Sequence, residues 1–263
     1  RVRSSAASDV YKRQESTLSG GRALNFDAGE LPIRVIDLDG EGIVITEKGG
    51  MLSLYRLNSN KGTTPCTNVL DEMWSGDIAT WSTEDGWAHL VWTRRFLDSS
   101  GYFLQTLSYS SIDATCQMSP IQDLMDPISL SDGKYWGIDV DVDDEEVLIS
   151  GYHRDMFTGG TFGDETSVFL LHADNPTKSS DWTLTPNVIG EIDLIPGTAS
   201  SLDVEFGEDD GAHLLYQSTR SDSTGIERHG LWYAHGLIEQ SSWTYKKAVG
   251  DEASLAAVSY THL

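Results

Sequence analysis

Six basic side chains recur at similar places in a sequence that is otherwise acidic. The 263 residues contain 18 Lys and Arg against 41 Asp and Glu, a formal net charge of −23. The planar guanidinium of arginine binds carboxylates, sulfates and phosphates through paired hydrogen bonds. A basic ring in a repulsive acidic field would attract an anionic ligand to one place. The candidate ligand-binding residues are Lys48, Arg94, Arg95, Arg154, Arg220 and Arg228.

A second interpretation of these arginines stays open. They lie near carboxylates in the sequence, such as Asp98, Asp155 and Asp222. Pairs of this kind are common on protein surfaces and contribute little to stability. The sequence alone therefore does not separate a recognition face from a set of solvated ion pairs.

A neighbouring group of side chains would suit catalysis on an acidic polysaccharide. A lyase needs an arginine that neutralises the sugar carboxylate and a His or Tyr base within hydrogen-bond reach of the sugar. The sequence shows no nucleophile–His–acid arrangement, no His/Cys metal cluster and no phosphate-binding glycine loop. The group available to an enzyme is Tyr152, His153, Arg154 and His229. Catalysis requires these side chains to converge, and no catalytic residue is assigned otherwise.

An acidic turn near the start of the chain raises the question of calcium. The stretch "DLDGEG" spaces Asp37, Asp39 and Glu41 like the first ligands of a calcium loop. Calcium takes roughly six to eight oxygen ligands, and Ile45 stands where a further carboxylate would be expected. These three acidic residues are the candidate Ca²⁺ ligands, and no other cofactor is expected.

A second acidic stretch, "IDVDVDDEE", alternates carboxylates with apolar residues. Asp139 and Asp141 are interleaved with Ile138, Val140 and Val142. Strict alternation is typical of a half-buried β-strand. We therefore predict a strand whose apolar side chains face one neighbouring sheet, while its carboxylates face the other side or a central channel.

This strand pattern recurs four times along the chain. Apolar strands begin near Ile33, Ile78, Ile138 and Leu202, and each continues through an acidic turn into a second apolar strand. A third strand and a weaker fourth strand follow. Four antiparallel strands per repeat describe the blades of a β-propeller. The sequence thus predicts an all-β, incomplete β-propeller of about four blades, at approximately 31–72, 76–125, 135–190 and 199–250.

The two ends depart from the repeat pattern. Residues 1–14, "RVRSSAASDVYKRQ", and residues 257–263, "AVSYTHL", resemble translated sequencing-adapter read-through. We exclude them from the fold as artefactual tails and expect residues 15–256 to be a partial propeller truncated at both ends. Uncovered apolar blade faces would then favour aggregation.

Recurrence of individual residues indicates structural roles. His89 and His213 follow Asp-Gly turns in matching second strands, which favours packed, hydrogen-bonded histidines over a catalytic base. Trp182 and Trp243 also match each other and are expected to pack between blades. Residues that recur in this way are therefore expected to stabilise the blades and not to form a functional site.

The two cysteines, Cys66 and Cys116, are expected to begin the fourth strands of neighbouring blades. Outer strands of adjacent blades diverge, whereas a disulfide requires Cα atoms within about 7 Å of each other. A bond between these cysteines is therefore left open. The redox compartment stays open with it.

Charge and hydropathy exclude two classes of partner. The strongly negative charge argues against nucleic acid, because its phosphates would be repelled. No run approaches the roughly 18 consecutive apolar residues of a membrane-spanning helix. The oligomeric state does not follow from the sequence.

The repeat core resembles that of a known superfamily. The stretch "DGWAHLVW" from Asp85 to Trp92, with a shorter counterpart from Asp210 to Tyr216, resembles sialidase-like (BNR-type) repeat propellers. That resemblance implies a range of functions that includes sialidases, polysaccharide lyases and non-catalytic glycan-binding propellers. The Asp-box pattern Ser-x-Asp-x-Gly-x-Thr-Trp of sialidases is absent, and "STEDGW" from Ser82 matches it in part.

Two functional hypotheses follow. The first is a non-catalytic extracellular or cell-surface propeller that binds a carbohydrate or protein partner, with an anionic ligand favoured by the arginines. The alternative is a carbohydrate-active enzyme, a sialidase-like hydrolase or a polysaccharide lyase, acting on acidic polysaccharide. A propeller fold by itself does not decide between them.

Calcium is expected to have little effect on stability, because the turn at residues 37–41 supplies an incomplete ligand set. Thermal unfolding of the chain should have nearly the same midpoint with excess calcium and with chelator. A rise of many degrees on adding calcium would contradict this prediction.

Overall fold

The computed structural model describes residues 30–38, 41–58, 62–71, 74–129, 133–155, 165–192, 202–207, 211–221, 227–238, 240 and 243–249. The tails predicted at 1–14 and 257–263 lie outside these residues. The described residues form seventeen β-strands and one short 3-10 turn at Ser179–Asp181. No helix among them is long and apolar enough to cross a membrane.

The strands form four sheets, which we call blades 1 to 4. Blade 1 contains β1 Leu31–Leu38, β2 Glu41–Lys48, β3 Met51–Asn58 and β4 Gly62–Asp71. Blade 2 contains β5 Trp74–Ser82, β6 Trp87–Leu97, β7 Phe103–Asp113, β8 Gln122–Asp123 and β9 Ile128–Ser129. Blade 3 contains β10 Gly133–Asp143, β11 Glu146–Asp155, β12 Glu165–Ala173 and β13 Trp182–Ile192. Blade 4 contains β14 Leu202–Phe206, β15 Gly211–Ser221, β16 Glu227–Leu237 and β17 Thr244–Val249.

Each blade repeats one arrangement of strands. The strand order follows the chain within every sheet, and in blade 2 the outer position is divided between β8 and β9, which both pair with β7. The first strands of successive blades, β1, β5, β10 and β14, pack in turn against one another. This is a β-propeller, so the predicted fold class is confirmed. The four sheets do not close into a ring.

Three hydrophobic clusters fill the seams between successive blades. Leu54 and Trp92 lie in the cluster between blades 1 and 2, and Val140 and Phe169 lie between blades 2 and 3. The seam between blades 3 and 4 contains Tyr216 among its buried residues. Burial of each large apolar side chain contributes roughly 1.5–3 kcal/mol. The core of the protein therefore consists of these seams.

The acidic stretch "IDVDVDDEE" forms the end of β10 and the turn that follows it. Ile138, Val140 and Val142 are buried in the cluster shared with blade 2. Asp139 and Asp141 point to the opposite side, because successive side chains of a strand alternate between its two faces. The predicted strand, with one apolar and one acidic face, is confirmed.

The two carboxylates on β10 hold the first strand of the next blade. Asp139 Oδ2 accepts a hydrogen bond from the backbone N–H of Val204, at 3.0 Å. Asp141 Oδ2 accepts one from the N–H of Phe206, at 2.8 Å. Both donors lie on β14. Buried backbone N–H groups need a hydrogen-bond partner, and the two carboxylates provide it here. The acidic face of β10 thus joins blade 3 to blade 4.

The two earlier seams contain contacts of the same kind. On β1, Arg34 Nη2 donates to the carbonyl oxygen of Ile78 on β5, at 3.1 Å. On β5, Asp77 Oδ2 accepts the backbone N–H groups of Gly137 and Ile138 on β10, the second at 3.2 Å. We call these contacts, in which an ionisable side chain of one first strand binds the backbone of the next, the clasps.

The two recurring histidines are packed inside the blades. His89 Nδ1 lies 2.7 Å from the hydroxyl oxygen of Tyr109, and His213 Nδ1 lies 2.5 Å from that of Tyr233. Burial lowers the pKa of His89 to about 4, so its ring is neutral near pH 7. The prediction of packed, hydrogen-bonded histidines is confirmed.

The two matching tryptophans also pack as predicted. Trp182 makes an edge-to-face contact with Tyr109, with ring centroids 5.0 Å apart. Trp243 lies so close to the backbone of Gly236 that a Cβ there would be 2.8 Å from its ring. Glycine is required at position 236 because any larger residue would displace the indole.

The cysteines form a disulfide, Cys66–Cys116, with Cα atoms 5.6 Å apart. The expectation that both begin fourth strands is wrong. Cys66 lies on the outer strand β4, but Cys116 lies in the turn after β7, with a φ of 69°. Because that turn projects toward blade 1, the divergence of outer strands does not separate the two residues.

Loss of this disulfide is expected to lower the free energy of unfolding by about 4 kcal/mol. The bond closes a loop with a sequence separation of 50 residues, and cross-links of that length restrict the unfolded chain by this amount. Urea unfolding of the wild type with and without reductant measures the difference. Because the chain contains 2 cysteines, the Cys66→Ser, Cys116→Ser variant should be insensitive to reductant. Equal midpoints for the oxidised and reduced wild type would contradict the prediction.

Candidate ligand-binding face

The predicted basic residues occupy equivalent backbone positions in successive blades. Lys48 ends β2, Arg94 and Arg95 lie near the end of β6, and Arg154 is the penultimate residue of β11. Arg220 is the penultimate residue of β15, directly opposite Arg228 on β16. These strand ends lie on one rim, which we call the loop face, because the four sheets repeat the same strand order. Convergence of the basic side chains around the channel stays a prediction.

Arg94 forms an ion pair with a neighbouring carboxylate, as the second interpretation of the arginines requires. Its Nη1 lies 3.6 Å from Asp123 Oδ1, and both side chains are substantially exposed. The carboxylate of Asp98 instead accepts the N–H groups of Ser100 and Tyr102 in its own turn, each at 2.8 Å. A partly exposed pair of this kind is weak, so Arg94 remains able to exchange Asp123 for an anionic ligand.

The other basic residues differ in how far their side chains are described. The Nε atom of Arg95 is buried and has no hydrogen-bond partner within the described protein. Lys48 is exposed at the end of β2. The side chains of Arg154, Arg220, Arg228 and His229 lie outside what the structure describes, and their backbones are placed on β11, β15 and β16.

Tyr152 and His153 point to opposite sides of blade 3. Tyr152 is 0% exposed, and its hydroxyl accepts the backbone N–H of Gln217 in blade 4 at 3.0 Å. The His153 ring faces blade 2 and stacks on Tyr135, with centroids 5.1 Å apart. Adjacent residues of a strand alternate in direction, so these two side chains cannot act on one sugar.

A cleft of about 300 Å³ opens beside His153, between blades 2 and 3. Five separate segments contribute to its walls: the connection that follows β8, and strands β10 to β13. Most of its walls are apolar or aromatic, with Asp126, Ser167 and His153 as polar members. Its lining residues are Leu124, Met125, Asp126, Tyr135, His153, Ser167, Phe169, Leu184 and Pro186.

Three aromatic rings give the cleft its shape. Tyr135 and His153 are directly paired across the β10–β11 ladder, and Phe169 contacts Tyr135 edge to face, with centroids 6.0 Å apart. Burial and the charge of Asp126 raise the pKa of Tyr135 to about 12. The phenol therefore stays protonated near neutral pH, as a hydrogen-bond donor and not a base. An apolar pocket with a few polar groups is typical of small-ligand sites.

Sequence reasoning singled out His153 but missed the rest of the cleft. Its lining comes from five segments that the sequence does not bring together. The hairpin register counted from the β10–β11 turn would place Tyr135 opposite Arg154, and the irregularity between Trp136 and Asp139 shifts its partner to His153, so the sequence carried no signal for this pair.

Two of the three predicted calcium ligands, Asp37 and Glu41, lie within the described residues, so the complete set stays a prediction. Glu41 Oε2 accepts hydrogen bonds from Arg56 Nε at 3.1 Å and Nη2 at 3.0 Å. Asp39 lies outside the described residues. Asp37 and Glu41 do not meet a third described ligand atom at the separation that one ion imposes.

A pair of carboxylates lies in the seam between blades 3 and 4. Asp139 is hydrogen-bonded to Asp203, and burial together with the Asp203 charge raises the pKa of Asp139 well above its usual range. Carboxyl groups this close share a proton. The two catalytic carboxyls of glycosidases stand at least about 5 Å apart, which is too far for such a bond. The pair therefore belongs to the clasp and does not have the spacing of a glycosidase carboxyl pair.

Comparison with known proteins adds information about the fold. No protein-family model and no curated protein matches the chain. The solved α-L-arabinanase of Penicillium chrysogenum, complexed with arabinobiose, superposes with a TM-score of 0.50 at 11% identity, over 85% of this chain and 68% of that one. The α-L-arabinofuranosidase of Fusarium graminearum superposes with a TM-score of 0.49 at 9% identity, over 87% and 68%. A Dyadobacter fermentans protein of unknown function gives 0.49 at 12% identity, over 85% and 71%.

Asp139→Asn is expected to stabilise the protein at neutral pH. Folding raises the pKa of Asp139 above 3.8, so its contribution is fully present below that pH and is lost as the pH rises through the raised value. The amide oxygen can still accept the Val204 N–H, and the amide N–H can donate to Asp203. Each unit of pKa difference corresponds to about 1.4 kcal/mol, which sets the scale of the gain at pH 7.

Urea unfolding of wild type and Asp139→Asn between pH 4 and pH 8 tests this, and the two curves should diverge as the pH rises. Asp143→Asn, at an exposed position of the same strand, is the control. A lower stability of Asp139→Asn at pH 7 would show that the pair is not destabilised by charge.

Proposed function

We propose that this chain is a non-catalytic β-propeller that binds a glycan on its loop face, in the cleft between blades 2 and 3. The observation that carries the proposal is the apolar, aromatic cleft built on the Tyr135–His153 stack. Sugar rings offer apolar C–H faces and hydroxyl edges. Aromatic rings with polar groups at their margins complement both.

The polar groups of the cleft fit hydroxyl recognition. The protonated Tyr135 phenol donates to the carbonyl oxygen of Asp126 at 3.3 Å, a long bond that a sugar hydroxyl can replace. The carboxylate of Asp126 and the hydroxyl of Ser167 provide acceptors on the two walls. A sugar hydroxyl both donates and accepts, so each of these groups has a suitable partner.

A hairpin above the cleft offers a second contact for a longer glycan. Leu97, Tyr102 and Phe103 are 54%, 66% and 46% exposed at the β6–β7 tip. Gln105 Oε1 accepts the backbone N–H of Tyr135 at 2.8 Å, which ties this hairpin to the cleft. Phe103 is two residues farther along β7, about 7 Å away at the usual strand rise. A chain leaving the cleft would therefore meet the apolar tip.

The arginines on the same face suit an acidic glycan. Arg95 lies opposite Gln105 in the β6–β7 ladder, between the hairpin tip and the cleft. Arg94 forms an exposed ion pair with Asp123, for which an anionic sugar can compete. The resemblance to sialidase-like propellers is part of this proposal, since anionic sugar recognition is what that resemblance implies.

Two further observations support an extracellular carbohydrate-binding protein. The arabinanase that superposes on the chain is a solved complex with arabinobiose, and we extend a carbohydrate ligand, as a class, to this protein. The Cys66–Cys116 disulfide is typical of proteins in oxidising compartments.

Binding without turnover is favoured over the alternative, an enzyme acting on acidic polysaccharide. That alternative needs a base and a neutralising arginine at one sugar. Tyr152 is committed to Gln217 in the seam, and Tyr135 is a donor near neutral pH. His153 is the member of the predicted catalytic group whose described side chain lines the cleft.

His153→Ala is expected to weaken glycan binding about tenfold, because aromatic stacking contributes about 0.5–1.5 kcal/mol beyond buried area. Calorimetry with oligogalacturonides and xylo-oligosaccharides, each as disaccharide and hexasaccharide, measures the affinity. His235→Ala, an exposed histidine on blade 4, is the matched control.

The outcomes of these measurements separate the parts of this proposal. Binding of the galacturonide that weakens with salt and with Arg94→Ala supports anionic recognition, whereas equal affinity for the xylo-oligosaccharide contradicts it. Loss of hexasaccharide affinity alone in the Tyr102→Ala, Phe103→Ala variant supports the hairpin contact. Cleavage of either probe would show an enzyme, and binding that His153→Ala leaves unchanged would refute the cleft as the site.

A further inference from the structure

Three potential metal ligands meet on blade 3 at the rim opposite the loop face. Glu146 begins β11, His172 is the penultimate residue of β12, and Asp174 follows that strand. His172 Nε2 lies 3.4 Å from Glu146 Oε2 and 3.6 Å from Asp174 Oδ1. All three ligand atoms lie within 4.8 Å of one another. His153 is near the other end of β11, so this group is separate from the glycan cleft.

The 3.4 Å contact between His172 Nε2 and Glu146 Oε2 is a long hydrogen bond, which an ion placed between the two groups can replace. A contact of 3.6 Å between nitrogen and oxygen is too long for a hydrogen bond. Zinc binds imidazole nitrogen and carboxylate oxygen at about 2.0–2.2 Å in a tetrahedron, which places neighbouring ligand atoms about 3.3–3.5 Å apart. Two of the three separations are therefore already close to those that one zinc ion imposes.

We propose that Glu146, His172 and Asp174 form a binding site for a divalent transition-metal ion of the zinc class. One imidazole and two carboxylates supply three ligands, and water completes the tetrahedron. Imidazole selects zinc, nickel or copper over calcium, which prefers a shell of oxygen atoms alone.

The surroundings of the group favour a cation. Neither carboxylate pairs with a lysine or arginine among the described residues. Their negative charges lie beside the acidic turn at Asp144 and Glu145, in a protein of net charge −23. A bound divalent ion would neutralise the two ligand carboxylates and lower the repulsion within this rim.

The imidazole is held in place before any ion binds. Its side chain is 14% exposed, and its ring lies edge to face with Phe206 of blade 4, with centroids 6.1 Å apart. The backbone N–H of Phe206 is bound by Asp141, so the clasp fixes the position of that ring. A ligand oriented by its neighbours loses less freedom on binding metal than a free surface histidine does.

Calorimetry on the full chain, untagged and stripped with chelator, tests the proposal with zinc chloride, nickel chloride and calcium chloride as probes. We expect saturable binding of one zinc ion per chain, a rise in the unfolding midpoint with zinc, and weaker binding of calcium by at least tenfold. Affinity should fall as the solution is acidified, because imidazole must be unprotonated to bind metal.

Variants decide whether these three residues are the ligands. His172→Ala, Glu146→Gln and Asp174→Asn should each weaken zinc binding at least about tenfold, the scale of losing even a supporting contact. Glu145→Gln, which removes a neighbouring exposed carboxylate, should leave it nearly unchanged. The two amide variants keep side-chain shape, so they report on ligation even if His172→Ala disturbs the Phe206 contact.

Absence of saturable zinc binding, or binding that all three ligand variants leave intact, would overturn the proposal. Equal affinity for calcium and zinc would also overturn it, because it would indicate general attraction to acidic surface. Glycan binding is measured separately on the loop face, so either proposal can fail without the other.

Discussion

The structure depends on a single type of interaction, an ionisable side chain of one first strand bound to the backbone of the next. Arg34, Asp77 and the pair Asp139 and Asp141 make these clasps in the three described seams. Apolar packing in the seams is strong but non-directional, so it does not by itself set how far one blade slides along its neighbour. The clasps provide direction, since each hydrogen bond is satisfied at one stagger. Part of the acidity of the chain is therefore structural.

The sequence predicted the blades because strands that bury one face show period-two alternation, and this pattern recurs four times. It predicted the packing of His89 and His213 for the same reason, since equivalent positions in a repeat have equivalent surroundings. The sequence did not predict the clasps. Asp139 and its partner Val204 are brought together only by the docking of two blades, which the strand pattern does not describe. The prediction that Cys116 begins a fourth strand was wrong because the chain turns after Asp113. Asp113 Oδ1 accepts the N–H groups of Thr115 and Gln117 in this turn.

The candidate site was predicted in part. Arginine positions followed from the repeat, since they depend on distance from a strand end. The cleft did not, because its walls come from five segments whose approach is a property of docked blades. Two members of the predicted catalytic group, Tyr152 and His153, do not converge. Tyr152 and His153 are neighbours in sequence, and neighbours on a strand face opposite ways. Because of this alternation, the Tyr152 side chain faces the seam with blade 4 and the His153 side chain faces the cleft.

The clasps bind backbone groups, a carbonyl oxygen that every residue offers or an N–H that every residue other than proline offers. A blade that receives a clasp therefore needs no particular side chain at the receiving strand, while the blade that makes it needs one ionisable residue at a fixed position. Neighbouring blades can then change in sequence independently of each other, provided that each keeps the clasp side chain on its own first strand. A gene encoding such units can duplicate or exchange one blade without a matching change in the next. The clasp can thus join blades of different sequence, and this is consistent with four blades of one architecture and little shared sequence.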